Sequence, residues 1–308
     1  MGVLVVGSAN LDYVIRVKTA PGPGETVIGE GFAVYPGGKG ANQALACARA
    51  GCPTSFLAKI GTEPETGILL ESLGDGGVDL SPVVRGTDPT GRAFIVVDHS
   101  GENRIVVASG ANATLTPEEV EQRWPTDASP EAVLLQLEIP MESVAKSLEL
   151  AEASDALTVL NPAPSRGSLS GELLGMVDYI VPNRTEAAAL LGRTTEVTAD
   201  PLRTVRELAR HTRRGAVITL GRDGAVVAAK GGELWHKAPE VGAVDTTAAG
   251  DTFCGYFVAG LVSGLLPEEA VRRAVYAASL ACTRPGAQSS IPGRDGVDEI
   301  VRAKERRR

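Results

Sequence analysis

The amino-acid sequence predicts an α/β fold: a three-layer αβα body around a mostly parallel sheet, carrying a small β-sheet lid. Two observations predict the body. Short apolar runs alternate with segments of helical periodicity along most of the chain. A strand that returns through a helix lies parallel to its predecessor, which covers both faces of the sheet. A third observation predicts the lid: two stretches, Tyr13–Tyr35 and Ala93–Ala108, break the alternation with short β-patterned runs of their own.

The elements follow in order. The start, Met1-Gly2-Val3-Leu4-Val5-Val6-Gly7, has no basic leader and no cleavage site, so Val3–Gly7 reads as a first strand. Tyr13–Tyr35 holds short alternating runs around Pro21-Gly22-Pro23-Gly24. A helix near Ala41–Ala50, a strand at Ser55–Ile60 and a helix at Gly67–Leu73 come next. Ala93–Asp98, the turn His99-Ser100-Gly101-Glu102-Asn103 and Arg104–Ala108 read as a hairpin. Beyond it, strands are expected at Val133–Leu137, Leu157–Leu160, Tyr179–Val181 and Val217–Leu220, with helices at Met141–Ala153, Thr185–Leu191 and Leu202–Thr212. Gly255–Leu265 has the composition of a packed helix. Residues 1–12, 36–92 and 109–308 are therefore expected to form the main domain, and residues 13–35 and 93–108 the lid. A sheet this small leaves apolar surface uncovered, which predicts pairing with a second lid.

Composition narrows the partners. The 308 residues are 43% hydrophobic and 22% charged, as in soluble globular proteins. No apolar run approaches the ~20 residues of a membrane span. A net charge of −8 argues against a nucleic-acid partner, and the basic tail Lys304-Glu305-Arg306-Arg307-Arg308 reads as a solvated helix end. Cys47, Cys52, Cys254 and Cys282 form no CxxC pair and read as small buried residues in a reducing cytoplasm. His99, His211 and His236 lie in unrelated segments, which speaks against a His-based triad or metal site.

Three clusters carry chemistry. In Val244-Asp245-Thr246-Thr247-Ala248-Ala249-Gly250-Asp251-Thr252-Phe253, the small residues Ala248, Ala249 and Gly250 leave backbone N–H groups uncovered at a helix start, where anions bind. Asp251 beside such an anion is either a base for a hydroxyl attacking phosphate or a helix cap. Gly37-Gly38-Lys39-Gly40-Ala41-Asn42 opens a helix. Its glycines permit close approach of a ligand, or simply a tight turn; it is not a Walker A loop. Asn10 and Asp12 follow the first strand, and Asn and Asp together suit adjacent sugar hydroxyls. Glu138 ends another apolar run, as a ligand or as a solvated strand end. Asn183 and Thr219-Leu220-Gly221 mark further strand ends.

Taken in order, these motifs resemble the ribokinase/phosphofructokinase-B family of sugar kinases over essentially the whole chain. The resemblance rests on Gly7-Ser8-Ala9-Asn10-Leu11-Asp12, Pro23-Gly24-Glu25-Thr26, Gly37-Gly38-Lys39-Gly40-Ala41-Asn42-Gln43-Ala44, Gly110-Ala111-Asn112-Ala113, Leu160-Asn161-Pro162-Ala163-Pro164, Pro182-Asn183-Arg184-Thr185-Glu186 and Asp245–Asp251. It implies phosphorylation of a sugar by ATP, with the middle motifs pointing to D-ribose and its 5-hydroxyl. By the resemblance, Asn10, Asp12, Gly38, Lys39, Asn42 and Glu138 would hold the sugar, and Asp251 would be the base. Ala248, Ala249 and Gly250 would form the anion hole. Asn183, Thr219, Gly221 and Gly250 would line the ATP site, with Mg²⁺ carried by the nucleotide and Glu186 near it. Asp245, with carbonyls near Thr247 and from Cys282 through Gly286 to Ser290, would hold a monovalent cation, typically K⁺. The family's lid also clasps a homodimer.

Arg92, Thr247 and Pro285 depart from the family's usual residues. The alternatives are a kinase of the same fold for deoxyribose, a nucleoside or a ketose, or a non-catalytic sugar binder. An aromatic content of 4% speaks against a nucleobase pocket, and the intact Asp251 segment against the binder. A dinucleotide oxidoreductase lacks its GxGxxG after the first strand.

Overall fold

The computed structural model describes residues 2–99, 103–126, 128–193 and 200–305. Ser100, Gly101 and Glu102 of the expected turn, and Arg306–Arg308 of the basic tail, lie outside the described residues. In chain order the first half runs β1 (Val3–Val6), β2 (Asn10–Arg16), β3 (Gly31–Gly37), α1 (Lys39–Arg49), β4 (Thr54–Leu57), β5 (Lys59–Ile60), α2 (Thr66–Asp75), β6 (Val78–Asp79), β7 (Val84–Arg85), β8 (Gly91–Val97), β9 (Asn103–Ala108) and α3 (Pro117–Arg123). The second half runs β10 (Ala132–Leu135), α4 (Met141–Ala153), β11 (Leu157–Leu160), α5 (Gly171–Gly175), β12 (Tyr179–Ile180), α6 (Arg184–Leu190), α7 (Pro201–Ala209), β13 (Gly215–Thr219), β14 (Ala225–Ala229), β15 (Gly232–His236), α8 (Ala249–Val262), α9 (Pro267–Ala281) and α10 (Arg294–Glu305).

Nine strands form the main sheet in the order β15-β14-β13-β12-β11-β10-β1-β4-β6. All neighbours from β13 to β6 run parallel, and β14 and β15 close one edge as an antiparallel hairpin. The three layers follow from the two-residue period of a strand. In β1, Val3 and Val5 join a core with Leu45 of α1, Phe257 of α8 and Val271 of α9. Leu4 and Val6 join the opposite core with Val144 and Leu148 of α4 and Val205 of α7. The same alternation holds in β10, where Leu134 faces the first core and Leu135 the second.

The sheet also fixes where a ligand belongs. From β1 the chain fills β4 and β6 on one side, then crosses to β10 on the other. A crevice opens outside the carboxyl ends of strands at such a switch point. The segments that leave β1, β10, β11 and β12 there carry Asn10 and Asp12, Glu138, Asn161 and Asn183.

A second sheet, β3-β2-β8-β9, pairs β2 with β8 in parallel and places β3 and β9 antiparallel at its edges. It contains the expected hairpin. Its strands run through the expected boundaries, however: β2 begins at Asn10, β3 ends at Gly37 and β8 begins at Gly91. Asn10 and Asp12 thus stand on the small sheet, because the β2–β8 pairing starts at Asn10 opposite Gly91. The expected strand Ser55–Ile60 is also split. Residues Thr54–Leu57 join the main sheet, whereas Lys59–Ile60 turn away to pair with β7. No helix among the described residues is long and apolar enough to cross a membrane.

Candidate active site

Two close approaches bring the pieces together. Gly38, the residue before α1, has φ 92°, and a Cβ there would fall 2.7 Å from the Asn10 amide nitrogen. A Cβ on Gly40 would fall 2.6 Å from the amide nitrogen of Ser8. The glycines of this segment therefore let the first turn of α1 press onto the chain leaving β1. The Ala41 amide donates to the Ser8 carbonyl at 2.9 Å and the Gly40 amide to the Ser8 hydroxyl at 3.2 Å. Ser8 donates in turn to Glu138 Oε2 at 2.5 Å, which also accepts the Lys39 amide at 3.3 Å. Glu138 is thus tied into the site rather than solvated at a strand end.

Asp251 is 9% exposed, in the first turn of α8. Asn42 Nδ2 donates to its Oδ2 at 3.0 Å and Gln43 Nε2 to its Oδ1 at 2.9 Å. The Asp251 side chain therefore does not cap its own helix. The residue at the cap is Ala248, held in the left-handed region at φ 58°, ψ 10°, a conformation costly for a residue with a Cβ. The Ala249 amide reaches the Thr246 carbonyl at 3.2 Å, so the expected anion hole is narrower than three free donors. The amides of Gly250 and Asp251 have no carbonyl one turn below them, and they remain as first-turn donors.

A cavity of about 220 Å³ opens at this helix end, lined by Lys39, Asn161, Asn183, Glu186, Thr219, Thr246, Ala248, Gly250 and Asp251 among others. A second space of about 520 Å³ adjoins it, sharing Thr219, Thr246 and Gly250. Its walls are largely apolar, with Ala238, Pro239, Val241, Phe253, Val275 and Ala278, and it includes Gly221, Ala249 and Cys282. A small polar chamber, a helix N-terminus and an apolar slot thus lie in series.

Charge is concentrated around Lys39 and Asp251, at the wall of the polar chamber. Burial, then the charges of Glu138 and Asp251, push the Asp12 carboxyl up to about 7. The Asp251 charge holds the Lys39 ammonium above its ordinary range against the opposing effect of burial. Burial raises Glu186, although the Asn183 N–H bond and the Lys39 charge oppose it. Asn183 and Glu186 form a reciprocal cap on α6: Glu186 N donates to Asn183 Oδ1 at 2.9 Å, and Asn183 N to Glu186 Oε2 at 2.8 Å.

Asn10 is fixed by a residue that the sequence reading left without a role. Asn112 Nδ2 donates to Asn10 Oδ1 at 2.8 Å, while its Oδ1 accepts the Ala9 amide at 2.9 Å. That orientation turns the Asn10 amide nitrogen, a donor, towards whatever binds. Asn42 Oδ1 is buried without a partner in the protein, so an acceptor is available there. The remaining expected residues gather in a separate loop pair. Asp245 Oδ1 accepts from Thr247 N at 2.9 Å and Thr247 Oγ1 at 2.6 Å, and Asp245 Oδ2 accepts from Gly286 N at 2.9 Å. Burial pushes the Asp245 carboxyl up, but these three bonds together bring it below its ordinary range. The Cys282 carbonyl accepts the Val244 and Asp245 amides at 2.8 and 3.2 Å, and buried Ser290 donates to the Ala287 carbonyl at 2.8 Å.

Of the three departures, Arg92 lies 3.8 Å from Glu63 and over the Tyr13 ring at 6.0 Å, at the base of the small sheet. Thr247 contributes both its amide and its hydroxyl to Asp245.

Residues 2–294 match the pfkB family of carbohydrate kinases. A ribokinase of Haemophilus influenzae is 41% identical over 96% of this chain and 97% of its own. A deoxyribokinase of Salmonella typhi is 31% identical over 99% of this chain and 100% of its own. The crystal structure of a Thermotoga maritima ribokinase superimposes with a TM-score of 0.88 at 36% identity, covering 98% of this chain and 99% of that one. The structure of Arabidopsis thaliana ribokinase complexed with ribose and ATP gives a TM-score of 0.87 at 31% identity, covering 97% and 98%.

Proposed function

The chain belongs to the pfkB family of carbohydrate kinases, and from that premise we propose that it transfers the γ-phosphoryl group of ATP to the 5-hydroxyl of D-ribose, giving ribose 5-phosphate and ADP. The observation that carries the reading is Asp251, an acceptor held by two amides in the first turn of a helix whose N-terminus opens into the polar chamber. The sugar lies beside that chamber, with Lys39 and Asp251 at the wall between them. Asp12, Glu138 and Asn42 Oδ1 supply acceptors, and Asn10 and Lys39 supply donors. Gly38 sits where its backbone, having no side chain, can approach the sugar. The apolar slot takes the adenosine, and the phosphates cross the first turn of α8 between the two, past Asn183, Thr219 and Gly221.

The step itself asks little covalent chemistry of the protein. The 5-oxygen attacks the γ-phosphorus in line with the bridging oxygen of ADP. As the O–P bond forms, its proton passes to Asp251, and the bond to the bridging oxygen breaks to release ADP. The Gly250 and Asp251 amides and the positive end of α8 stabilise the transferring group, whose charge lies on its equatorial oxygens. Lys39 balances the carboxylates around it. Mg²⁺ bound with the nucleotide would supply neutralisation of its phosphates, and Glu186, at the cavity wall, would orient the ion's waters. A hard monovalent cation such as K⁺ would be held by the Asp245 carboxylate and by backbone carbonyls of these loops other than that of Cys282, which already accepts two amides, an all-oxygen donor set. A homodimer joined through the small sheets completes the reading, with the enzyme in the cytoplasm, where its free cysteines stay reduced.

A coupled ADP-release assay over pentoses, hexoses and nucleosides tests it. D-ribose is expected to give the highest kcat/KM. The same-fold alternative is favoured by the deoxyribokinase relative. Each hydroxyl read by a charged group contributes about 1.5–3 kcal/mol, so 2-deoxyribose should fall roughly tenfold or more below ribose. Equal kcat/KM for the two sugars would remove ribose as the preferred substrate.

A further inference from the structure

Behind Asp251 lies a row of side-chain amides in the interior. Gln43 and Gln136 are fully buried, and Asn161 is 8% exposed. Gln43 Nε2 donates to Asp251 Oδ1 at 2.9 Å and to Asn161 Oδ1 at 3.1 Å, and Gln136 Nε2 donates to Gln43 Oε1 at 2.7 Å. On the reading of Asp251 as the base, we propose that Gln43 is a positioning residue that fixes the plane of the Asp251 carboxylate, and that Gln136 holds Gln43 in its donating orientation.

The directions of these bonds are fixed at two ends. An ionised carboxylate only accepts, so the Gln43 atom facing Asp251 is nitrogen. Asn161 Nδ2 donates to the Val181 carbonyl at 2.8 Å, and a carbonyl also only accepts. Asn161 therefore turns its oxygen to Gln43, and both hydrogens of Gln43 Nε2 are used. Its oxygen is left for Gln136. Turning the Gln43 amide over would break all three bonds inside the protein, where an unpaired amide costs most.

Packing places the row. A Cβ on Gly255 of α8 would fall 2.4 Å from the Ala46 Cβ and 2.9 Å from the Gln43 carbonyl of α1. Those two helices therefore meet close enough for Gln43 to reach Asp251. A Cβ on Gly7 would fall 1.9 Å from Gln136 Oε1, so the end of β1 is hollowed out for Gln136. With Asn42 on Oδ2 and Gln43 on Oδ1, Asp251 keeps lone pairs on both oxygens but loses free rotation, as a base aimed at one hydroxyl requires.

The test separates this proposal from the reading beneath it. Asp251→Asn should lower kcat at least about a hundredfold with ATP binding retained. A folded D251N keeping more than a tenth of kcat would remove the base, and this proposal with it. If D251N is inactive, Gln43→Glu decides. The charged and titratable groups that influence or face Asp251 are Lys39 from α1, Asp12 from β2, Glu186 from α6 and Cys254 from α8. All are unchanged in Q43E, so the variant's pH profile reports the new carboxylate, which has to share a proton with Asp251. The acid limb of kcat should move up by about one pH unit or more. Gln136→Leu touches neither Asp251 nor substrate and decides the matter if Q43E does not fold. It should lower kcat about tenfold or more while the KM for ATP stays within about twofold. An unmoved acid limb in Q43E, or an unchanged kcat in Q136L, overturns the positioning role while the base stands.

Discussion

At Asp12 two requirements pull against each other. The sugar reading wants an ionised carboxylate, yet burial and the charges of Glu138 and Asp251 push this group up to about 7 from 3.8. Between those two values the folded chain holds a proton that the unfolded chain has released. That stabilisation is complete below about 4 and is lost as pH rises through about 7. Asp12→Asn removes the dependence, so its Tm should gain on the wild type as pH goes from 5 to 8, while its KM for sugar rises. Thermal unfolding at both pH values checks the first part, and a Tm difference that is flat with pH would contradict it. The placement of Asn10 and Asp12 at this edge is legible from sequence, since polar residues just past an apolar strand emerge at one edge of an α/β sheet, and so is that of Lys39 and Asp251 at helix starts marked by small residues. Ser8, Gln43, Asn112 and Asn161 stand in the family's motifs, but nothing in the sequence around them says what they touch. Their partners lie more than thirty or a hundred positions away, and spacing says nothing about such pairs. Gln136 did leave a signal: a lone amide inside Leu134-Leu135-Gln136-Leu137 is a polar group in a buried strand, which has to find a partner.

Among the elements, Leu157–Leu160 and Met141–Ala153 have the ends their periodicity predicts. The strand expected at Ser55–Ile60 does not, because the chain leaves the main sheet after Leu57, and Lys59 alone marks the change in the run. α3 and α9 went unpredicted although their start signals are present: Thr116 and Glu119 form a reciprocal cap, and Pro267 precedes Glu268 and Glu269. The β14–β15 hairpin was harder, since Ala225–Ala229 is rich in alanine, which strands disfavour. The Asp245 loops lead directly into α8. One carboxylate ties residues 245–247 to Gly286, immediately before α8 begins. A cation added to that knot would stiffen the approach to Ala248 and hence the first-turn amides. Activity should therefore rise when K⁺ is added to a Tris buffer poor in Na⁺, and Asp245→Asn should weaken the response. A flat titration at matched chloride and ionic strength would take the cation out of the scheme.

For the whole molecule, the small sheet is where we expect assembly. Asn10 and Asp12 share one of its faces, and cross-strand register puts Ile105 and Val107 on that same face. Phe32, Phe94 and Val106 project on the other. Phe32 is 64% exposed and Val106 69% exposed, an apolar surface beyond what four strands can cover by themselves. We propose a second copy as the partner, because two such sheets would hide each other's apolar faces through one symmetric contact. A stable contact of this type removes about 800 Å² per partner. In such a pairing the dimer and the proposed sugar site would share β2, the strand that carries Asn10 and Asp12. We therefore expect sedimentation at micromolar concentration to give a dimer. Charges placed on that apolar face at the two edge strands, as in Phe32→Asp combined with Val106→Asp, should give monomers whose KM rises for sugar while that for ATP stays within about twofold. Monomer alone for the unaltered chain would refute the clasp. Monomeric variants with an unchanged sugar KM would show that β2 holds its residues in place without a partner.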